Sequence, residues 1–99
     1  MKLDILTRRY AKAFMDLAKQ NDIVDRCHDD LRLVKSTFDS NEELRTMIHQ
    51  PFISKESKQN ILSEIFKDRT QSITVDLLRL IIDKDRDEIL ADLYDPFYE

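Results

Sequence analysis

The chain has 99 residues, enough for one small domain with its own hydrophobic core. Charged residues make up 36% and apolar residues 41% of the sequence, a balance that excludes a disordered chain. The formal net charge of −4 disfavours a dedicated nucleic-acid surface, because phosphate contacts need clustered cations, and no apolar run approaches the ~20 residues of a membrane span.

Helices joined by short polar turns are the expected structure, because the sequence has no glycine and only two prolines. The first predicted helix covers about residues 4–20. Its apolar residues span roughly 200° of a helical wheel, whereas a surface helix needs a stripe only a little over ~100° wide. They are Leu3, Leu6, Tyr10, Ala11, Ala13, Phe14, Met15, Leu17 and Ala18. The excess predicts two apolar contacts, one with the domain's own core and one with something outside it.

The second and third helices have ordinary patterns. Asp22 is the predicted N-cap of the second helix, which has one narrow apolar face. Ser40 and Glu43 have the spacing of a capping box at the start of a short third helix. That helix is expected to stop before Pro51, because the residue before a proline avoids helical backbone angles.

The turn after the third helix contains two apolar residues, Phe52 and Ile53, which we expect to fill the core. Ser54 is the predicted N-cap of the fourth helix. The buried face of that helix is predicted to comprise Ile61, Leu62, Ile65 and Phe66.

The fifth helix also has more apolar surface than one core contact requires. Ser72 is its predicted N-cap, and its apolar residues span roughly 220° of the wheel. They are Ile73, Val75, Leu77, Leu78, Leu80, Ile81 and Ile82. Asp85 and Glu88 predict a capping box for a sixth helix, which Pro96 should end or bend. The apolar residues of the sixth helix are Ile89, Leu90, Leu93, Tyr94 and Phe97.

No arrangement of residues predicts catalysis or metal binding. Cys27 lies on a core face, the adjacent His28 points ~100° away from it on a helix, and His49 lacks metal-ligand spacing. The acidic clusters are predicted to be solvated faces and caps. Without glycine, the chain has neither a P-loop nor a dinucleotide-binding turn. We therefore expect no catalytic site, no metal site and no cofactor.

Four short segments resemble the delta subunit of rotary ATP synthases, whose mitochondrial counterpart is the oligomycin-sensitivity-conferring protein. They are residues 9–14 (Arg-Tyr-Ala-Lys-Ala-Phe), 41–45 (Asn-Glu-Glu-Leu-Arg), 51–55 (Pro-Phe-Ile-Ser-Lys) and 77–82 (Leu-Leu-Arg-Leu-Ile-Ile). They occur in the family's order, and the resemblance covers essentially the whole chain. A departure occurs at Lys84-Asp85, where the family often has a glycine-containing turn. Asp85 is expected to tolerate a left-handed conformation there.

The resemblance implies an all-α, compact six-helix bundle in which residues 1–99 form a single helical domain, the family's N-terminal domain. It implies a non-catalytic stator role, with the N-terminal helix of an alpha subunit gripped between the first and fifth helices. The family's C-terminal domain, absent from this chain, joins the b-subunit stalk. The implied location is peripheral, at the cytoplasmic face of the bacterial inner membrane, without membrane insertion.

The two helices with surplus apolar surface are the same two that form the family's groove. The predicted partner-binding residues are Ala11, Phe14, Met15, Ala18, Ile73, Leu77 and Leu80. The helical wheel leaves open which of them point outward. Two other classes stay open: a helical regulatory module that binds another protein or, through a helix-turn-helix, DNA; and a small helical enzyme.

Overall fold

The computed structural model describes the backbone of residues 2–98 and the side chains of residues 5–96, so the predicted roles of the Leu3 and Phe97 side chains lie outside the described residues. The described part is helical and contains no strand. The helices are α1 (Lys2–Gln20), α2 (Val24–Ser40), α3 (Glu42–Ile48), α4 (Lys55–Phe66), α5 (Ser72–Asp83), a 3₁₀ helix (Asp87–Asp92) and α6 (Tyr94–Tyr98). The predicted all-α fold is confirmed.

Helix α2 lies at the centre of the bundle, where it contacts α1, α3, α5, α6 and the 3₁₀ helix. The apolar face predicted for this helix comprises Ile23, Val24, Cys27, Leu31, Val34 and Phe38. The last four are buried, whereas Ile23 and Val24 are half-buried. The largest fully buried side chains of the core include Leu31, Leu62, Phe66, Leu78, Ile81, Ile82, Ile89 and Leu90. The core therefore takes most of its large side chains from α2, α4, α5 and the 3₁₀ helix, and α1 and α3 contribute further buried residues.

The start of α5 is fixed by a side chain from α2. The prediction that Ser72 is the N-cap of α5 is wrong, because Gln71 occupies that position. The side chain of Gln71 makes no cap hydrogen bond. Instead, the backbone N–H of Gln71 donates to Oδ2 of Asp30 at 2.7 Å, and the buried hydroxyl of Thr74 donates to the same oxygen at 2.7 Å. The acceptor lies 41 positions earlier in the chain, so the short spacings that identify local N-caps cannot predict this cap from the sequence.

Helix α4 packs along α5 and is hydrogen-bonded to its carbonyl groups. Gln59 Nε2 donates to the carbonyl oxygen of Arg79 at 2.8 Å, and Lys55 Nζ donates to that of Asp83 at 3.0 Å. The last carbonyls of a helix lack intrahelical donors, so Lys55 satisfies a group that α5 leaves unpaired at Asp83, and Gln59 adds a contact one turn earlier. The position of α5 is thus fixed at both of its ends.

Asp22 ends α1 rather than beginning α2, so its predicted role as an N-cap is wrong. Its φ of 56° is left-handed. The N–H of Asp22 bonds to the carbonyl of Lys19 at 3.1 Å, and that of Ile23 to the carbonyl of Ala18 at 3.0 Å. This pair of bonds is the Schellman motif, in which the left-handed position is usually glycine. Aspartate takes this position in a chain without glycine.

Asp85 repeats this arrangement after α5. Its φ of 58° confirms the expected left-handed conformation, and the N–H of Arg86 bonds to the carbonyl of Ile81 at 3.0 Å. The predicted capping box with Glu88 is wrong, because Arg86 is the N-cap of the 3₁₀ helix and no side chain caps it. A residue held in the left-handed region to close one helix lacks the extended backbone that an N-cap requires.

The start of α3 differs by one residue from the prediction. Asn41, not Ser40, is the N-cap, since Asn41 Oδ1 accepts from the N–H of Leu44 at 3.0 Å. The hydroxyl of Ser40 donates to the carbonyl of Ser36 at 2.8 Å and so belongs to the last turn of α2. Two polar residues at adjacent positions compete for the cap, and local spacing does not distinguish them.

The turn between α3 and α4 confirms one prediction and contradicts another. Ser54 caps α4, with its hydroxyl accepting from the N–H of Ser57 at 3.1 Å. Phe52 does not fill the core, because it is 82% exposed at the turn, while Ile53 is half-buried. The turn follows the short helix α3, which contacts α2 at the edge of the bundle, so Phe52 lies beyond the reach of the core.

The predicted sixth helix is divided into the 3₁₀ helix and α6. Ile89, Leu90 and Leu93 are buried as predicted. Pro96 does not end α6, because it lies in the first turn of that helix. The first N–H groups of a helix have no intrahelical acceptor, so a proline there removes no hydrogen bond.

Candidate functional site

An open apolar furrow of about 220 Å³ lies between α1 and α5. Both helices pack against α2 and the 3₁₀ helix, which leaves a space between them on the outer side. The furrow is lined by Tyr10, Ala13, Phe14 and Leu17 from α1 and by Ile73, Asp76, Leu77 and Leu80 from α5. On each helix these residues occur at positions i, i+3, i+4 and i+7, the spacing that places side chains on one helical face.

The wide apolar arc of α1 is divided between the core and the furrow. At one edge, Ala11 is 1% exposed and Ala18 is 0% exposed, so both belong to the core. At the other edge, Ala13 is exposed and Leu17 is 40% exposed beside the furrow. Phe14 lies between the two edges, buried but lining the furrow floor. The surplus apolar surface inferred from the sequence is therefore open along one edge of the helix.

Helix α5 is divided in the same way. Leu78, Ile81 and Ile82 are completely buried in the core. Leu80 is 44% exposed and Ile73 is half-buried, and both line the furrow. Together with Leu17 of α1, these two residues form a contiguous apolar surface along the furrow.

Four of the predicted partner-binding residues line the furrow: Phe14, Ile73, Leu77 and Leu80. The placement of Ala11 and Ala18 there is corrected, because both are buried in the core. Met15 is half-buried in a separate cleft beside α6 that also contains Lys12 and Pro96. Both edges of a wide apolar arc look alike on a wheel, and only the packing of α2 and α6 distinguishes them.

The residues missed by the prediction are Tyr10, Ala13, Leu17 and Asp76. Three of them lie on the predicted arc of α1, and their spacing around Phe14 is the signal that could have selected them. Asp76 is a polar residue of α5 that lies three residues after Ile73 and four before Leu80, so the same spacing places it on the furrow face.

The side chains of Cys27, Lys58 and Asp87 have structural roles. Burial, and secondarily the charge of Asp30, raises the pKa of the Cys27 thiol to about 11, which keeps it protonated and unreactive in the core. Lys58 and Asp87 form an ion pair of 2.8 Å that joins α4 to the 3₁₀ helix. Within residues 5–96, no group of three or more histidine, cysteine, aspartate or glutamate side chains has the arrangement of a metal site.

As far as the structure describes the chain, none of its helices combines the length and apolar character that a membrane crossing requires.

Comparison with known proteins identifies the family. The sequence model of the ATP synthase delta (OSCP) subunit family matches residues 6–99. This chain is also 36% identical over 93 residues to each of three relatives named ATP synthase subunit delta. They come from Bacillus thuringiensis (strain Al Hakam), Bacillus cereus (strain AH820) and Bacillus anthracis. These alignments cover 94% of this chain and 51% of each relative, so the chain spans about half the length of the curated relatives it matches. The chain belongs to the ATP synthase delta (OSCP) subunit family.

Proposed function

We propose that the chain is a non-catalytic component of ATP synthase that acts as a stator element. In this role it holds the N-terminal helix of an alpha subunit in the furrow between α1 and α5, so that the catalytic head is restrained against rotation. The observation that carries the proposal is the furrow itself, with its two matching apolar stripes in a member of the delta subunit family.

The shape of the furrow favours a helix over a small ligand. Its volume of about 220 Å³ is below the ~300–1,000 Å³ of typical small-molecule sites, and its lining contains few polar groups to orient a ligand. An amphipathic helix needs a shallow apolar slot that accepts side chains one turn apart, and the two parallel stripes supply such a slot.

The required mechanical strength would come from slow dissociation of the bound helix. Apolar burial contributes about 25 cal/mol per Å², less the free energy of ordering the partner segment. Differences in affinity between related complexes reside mostly in the dissociation rate, which depends on a few well-buried anchors. Leu17, Leu77 and Leu80 are the anchors offered by this chain.

The other contacts of the complex follow from the same proposal. The chain would sit peripherally at the cytoplasmic face of a bacterial membrane, carried there by its partners. Attachment to the b-subunit stalk would belong to a second domain rather than to the furrow. Residues 1–99 would then form one helical domain, whose task is the grip on the alpha subunit.

Titration with a peptide tests the proposal. The peptide covers about 20 N-terminal residues of the alpha subunit from the same complex, roughly 30 Å of helix. We expect saturable binding that Leu80→Glu weakens at least ~10-fold, because a carboxylate would be desolvated at the interface. The matched control is Phe52→Glu, which places the same charge on an exposed apolar residue of the α3–α4 turn. Equal affinities for Leu80→Glu and the unmodified chain would refute the proposal.

A further inference from the structure

Asp76 is the charged residue of the furrow lining, and its position is unusual. It occupies the place in the α5 stripe that Ala13 occupies in the α1 stripe, with Ile73 and Leu80 one turn away on either side. Its side chain is exposed, and it takes part in no ion pair among residues 5–96. A carboxylate thus stands without a cationic partner in an otherwise apolar wall.

The nearest cations on α5 do not neutralise Asp76. Arg79, three residues further on, donates to the hydroxyl of Ser63 at 3.1 Å and is turned towards α4. Lys84, the residue that follows the end of α5, lies eight residues from Asp76. That spacing corresponds to about 12 Å along the axis.

A helix that fills the furrow would displace water from this carboxylate. Burial of an unpaired charge is strongly unfavourable, so an aliphatic side chain placed against Asp76 would oppose binding. A cation in the same place restores the lost hydrogen bonds and gains electrostatic attraction. The charge on the wall therefore selects among helices with equally suitable apolar faces.

We infer that the helix that occupies the furrow carries a lysine or arginine on its α5-facing flank, where it pairs with Asp76. The inference rests on the proposed function, since it specifies the chemistry of the partner at the same site.

The pair also sets the direction in which the helix lies. Turning an amphipathic helix end for end, with its apolar face still in the furrow, moves its cationic flank to the α1 wall. There Ala13 offers no acceptor, and Arg9, one turn earlier on the same helix face, repels a cation. One direction is consequently favoured by attraction at Asp76 and the other is opposed by repulsion at Arg9.

A double-mutant cycle with the alpha-subunit peptide tests the inference. On the protein side, the variants are Asp76→Asn and Asp76→Lys. On the peptide side, each lysine or arginine is replaced singly by glutamine. The control is Asp16→Asn, which removes another exposed carboxylate, in α1 at the separate cleft beside α6.

We expect Asp76→Asn to weaken binding about three- to tenfold at low salt and to lose most of this effect near 1 M salt, where the Debye length is ~3 Å. Asp76→Lys should weaken binding further, and Asp16→Asn should leave it unchanged. One substituted cation in the peptide should cause the same loss against the unmodified protein and no additional loss against Asp76→Asn.

The outcomes separate the two proposals. Normal peptide binding with an unchanged affinity of Asp76→Asn, or additive losses for every cation in the peptide, would overturn the pairing and leave the alpha-subunit grip intact. Absence of binding by the unmodified protein would refute the grip, and the pairing with it.

Discussion

Asp30 joins the centre of the bundle to the start of α5, and its removal is expected to destabilise the protein. Its Oδ2 atom accepts hydrogen bonds from the N–H of Gln71 and the hydroxyl of Thr74, both at 2.7 Å. Thr74 is completely buried, so Asp30→Ala leaves its hydroxyl without this acceptor and without water. The same substitution removes the cap from the N-terminus of α5, the helix that forms one wall of the furrow.

The magnitude follows from these two bonds. Hydrogen bonds to charged groups contribute about 1.5–3 kcal/mol each. Part of their loss in Asp30→Ala is offset, because the variant has no carboxylate to remove from water on folding. We expect Asp30→Ala to lower the free energy of unfolding by about 2–4 kcal/mol, a large fraction of the ~5–15 kcal/mol typical of small domains.

Urea unfolding monitored by circular dichroism measures the loss. The matched control is Asp29→Ala at the neighbouring position, where the side chain is 72% exposed and the expected change is within about 0.5 kcal/mol. Thr74→Val should cause a smaller loss than Asp30→Ala, and the double variant should lose less than the sum. Equal stabilities of Asp30→Ala and Asp29→Ala would refute the assignment of Asp30 as the cap of α5.

Three further predictions test the core, the turns and the buried thiol. Ala13→Glu should keep the helical circular dichroism of the unmodified chain and lose peptide binding. Ala11→Glu should unfold, because Ala11 is 1% exposed and the carboxylate would be buried in the core. Equal melting temperatures of the two variants would contradict the assignment of Ala11 to the core and Ala13 to the furrow. Asp85→Gly should raise the free energy of unfolding by up to about 1 kcal/mol, because glycine adopts the observed φ of 58° without steric cost. Asp83→Gly, within α5, should lower the free energy of unfolding by a similar amount. Urea titration of both variants measures the two changes in stability and shows whether they have opposite signs. Burial raises the pKa of the Cys27 thiol from 9.0 to about 11. The stabilisation that the protonated thiol provides should therefore be complete below pH 9.0 and be lost as the pH rises towards 11. Unfolding curves of Cys27→Ala at several pH values should lack this dependence.

The sequence predicts those features whose causes are local. Ser54 is identified as the cap of α4 because its acceptor lies three residues from the donor. The left-handed conformation of Asp85 is expected because Lys84-Asp85 stands where the family that the sequence resembles often has a glycine-containing turn. The surplus apolar surface on α1 and α5 is visible on the wheel, since it depends on helical periodicity alone.

Features that depend on distant parts of the chain are not predictable in this way. Which edge of α1 faces the core depends on where α2 and α6 pack, so Ala11 and Ala13 are equivalent candidates until the fold is known. The role of Asp30 depends on a contact across 41 positions. The apolar character of Phe52 predicts a place in the core, yet its turn lies at the edge of the bundle.

The most direct test of the central claim is a backbone amide NMR titration of the chain with the alpha-subunit peptide. The alpha-subunit grip predicts chemical-shift changes concentrated at Tyr10–Leu17 of α1 and Ile73–Leu80 of α5, the two walls of the furrow. Changes centred instead on the α3–α4 turn around Phe52, or changes in α1 with none in Ile73–Leu80 of α5, would contradict it.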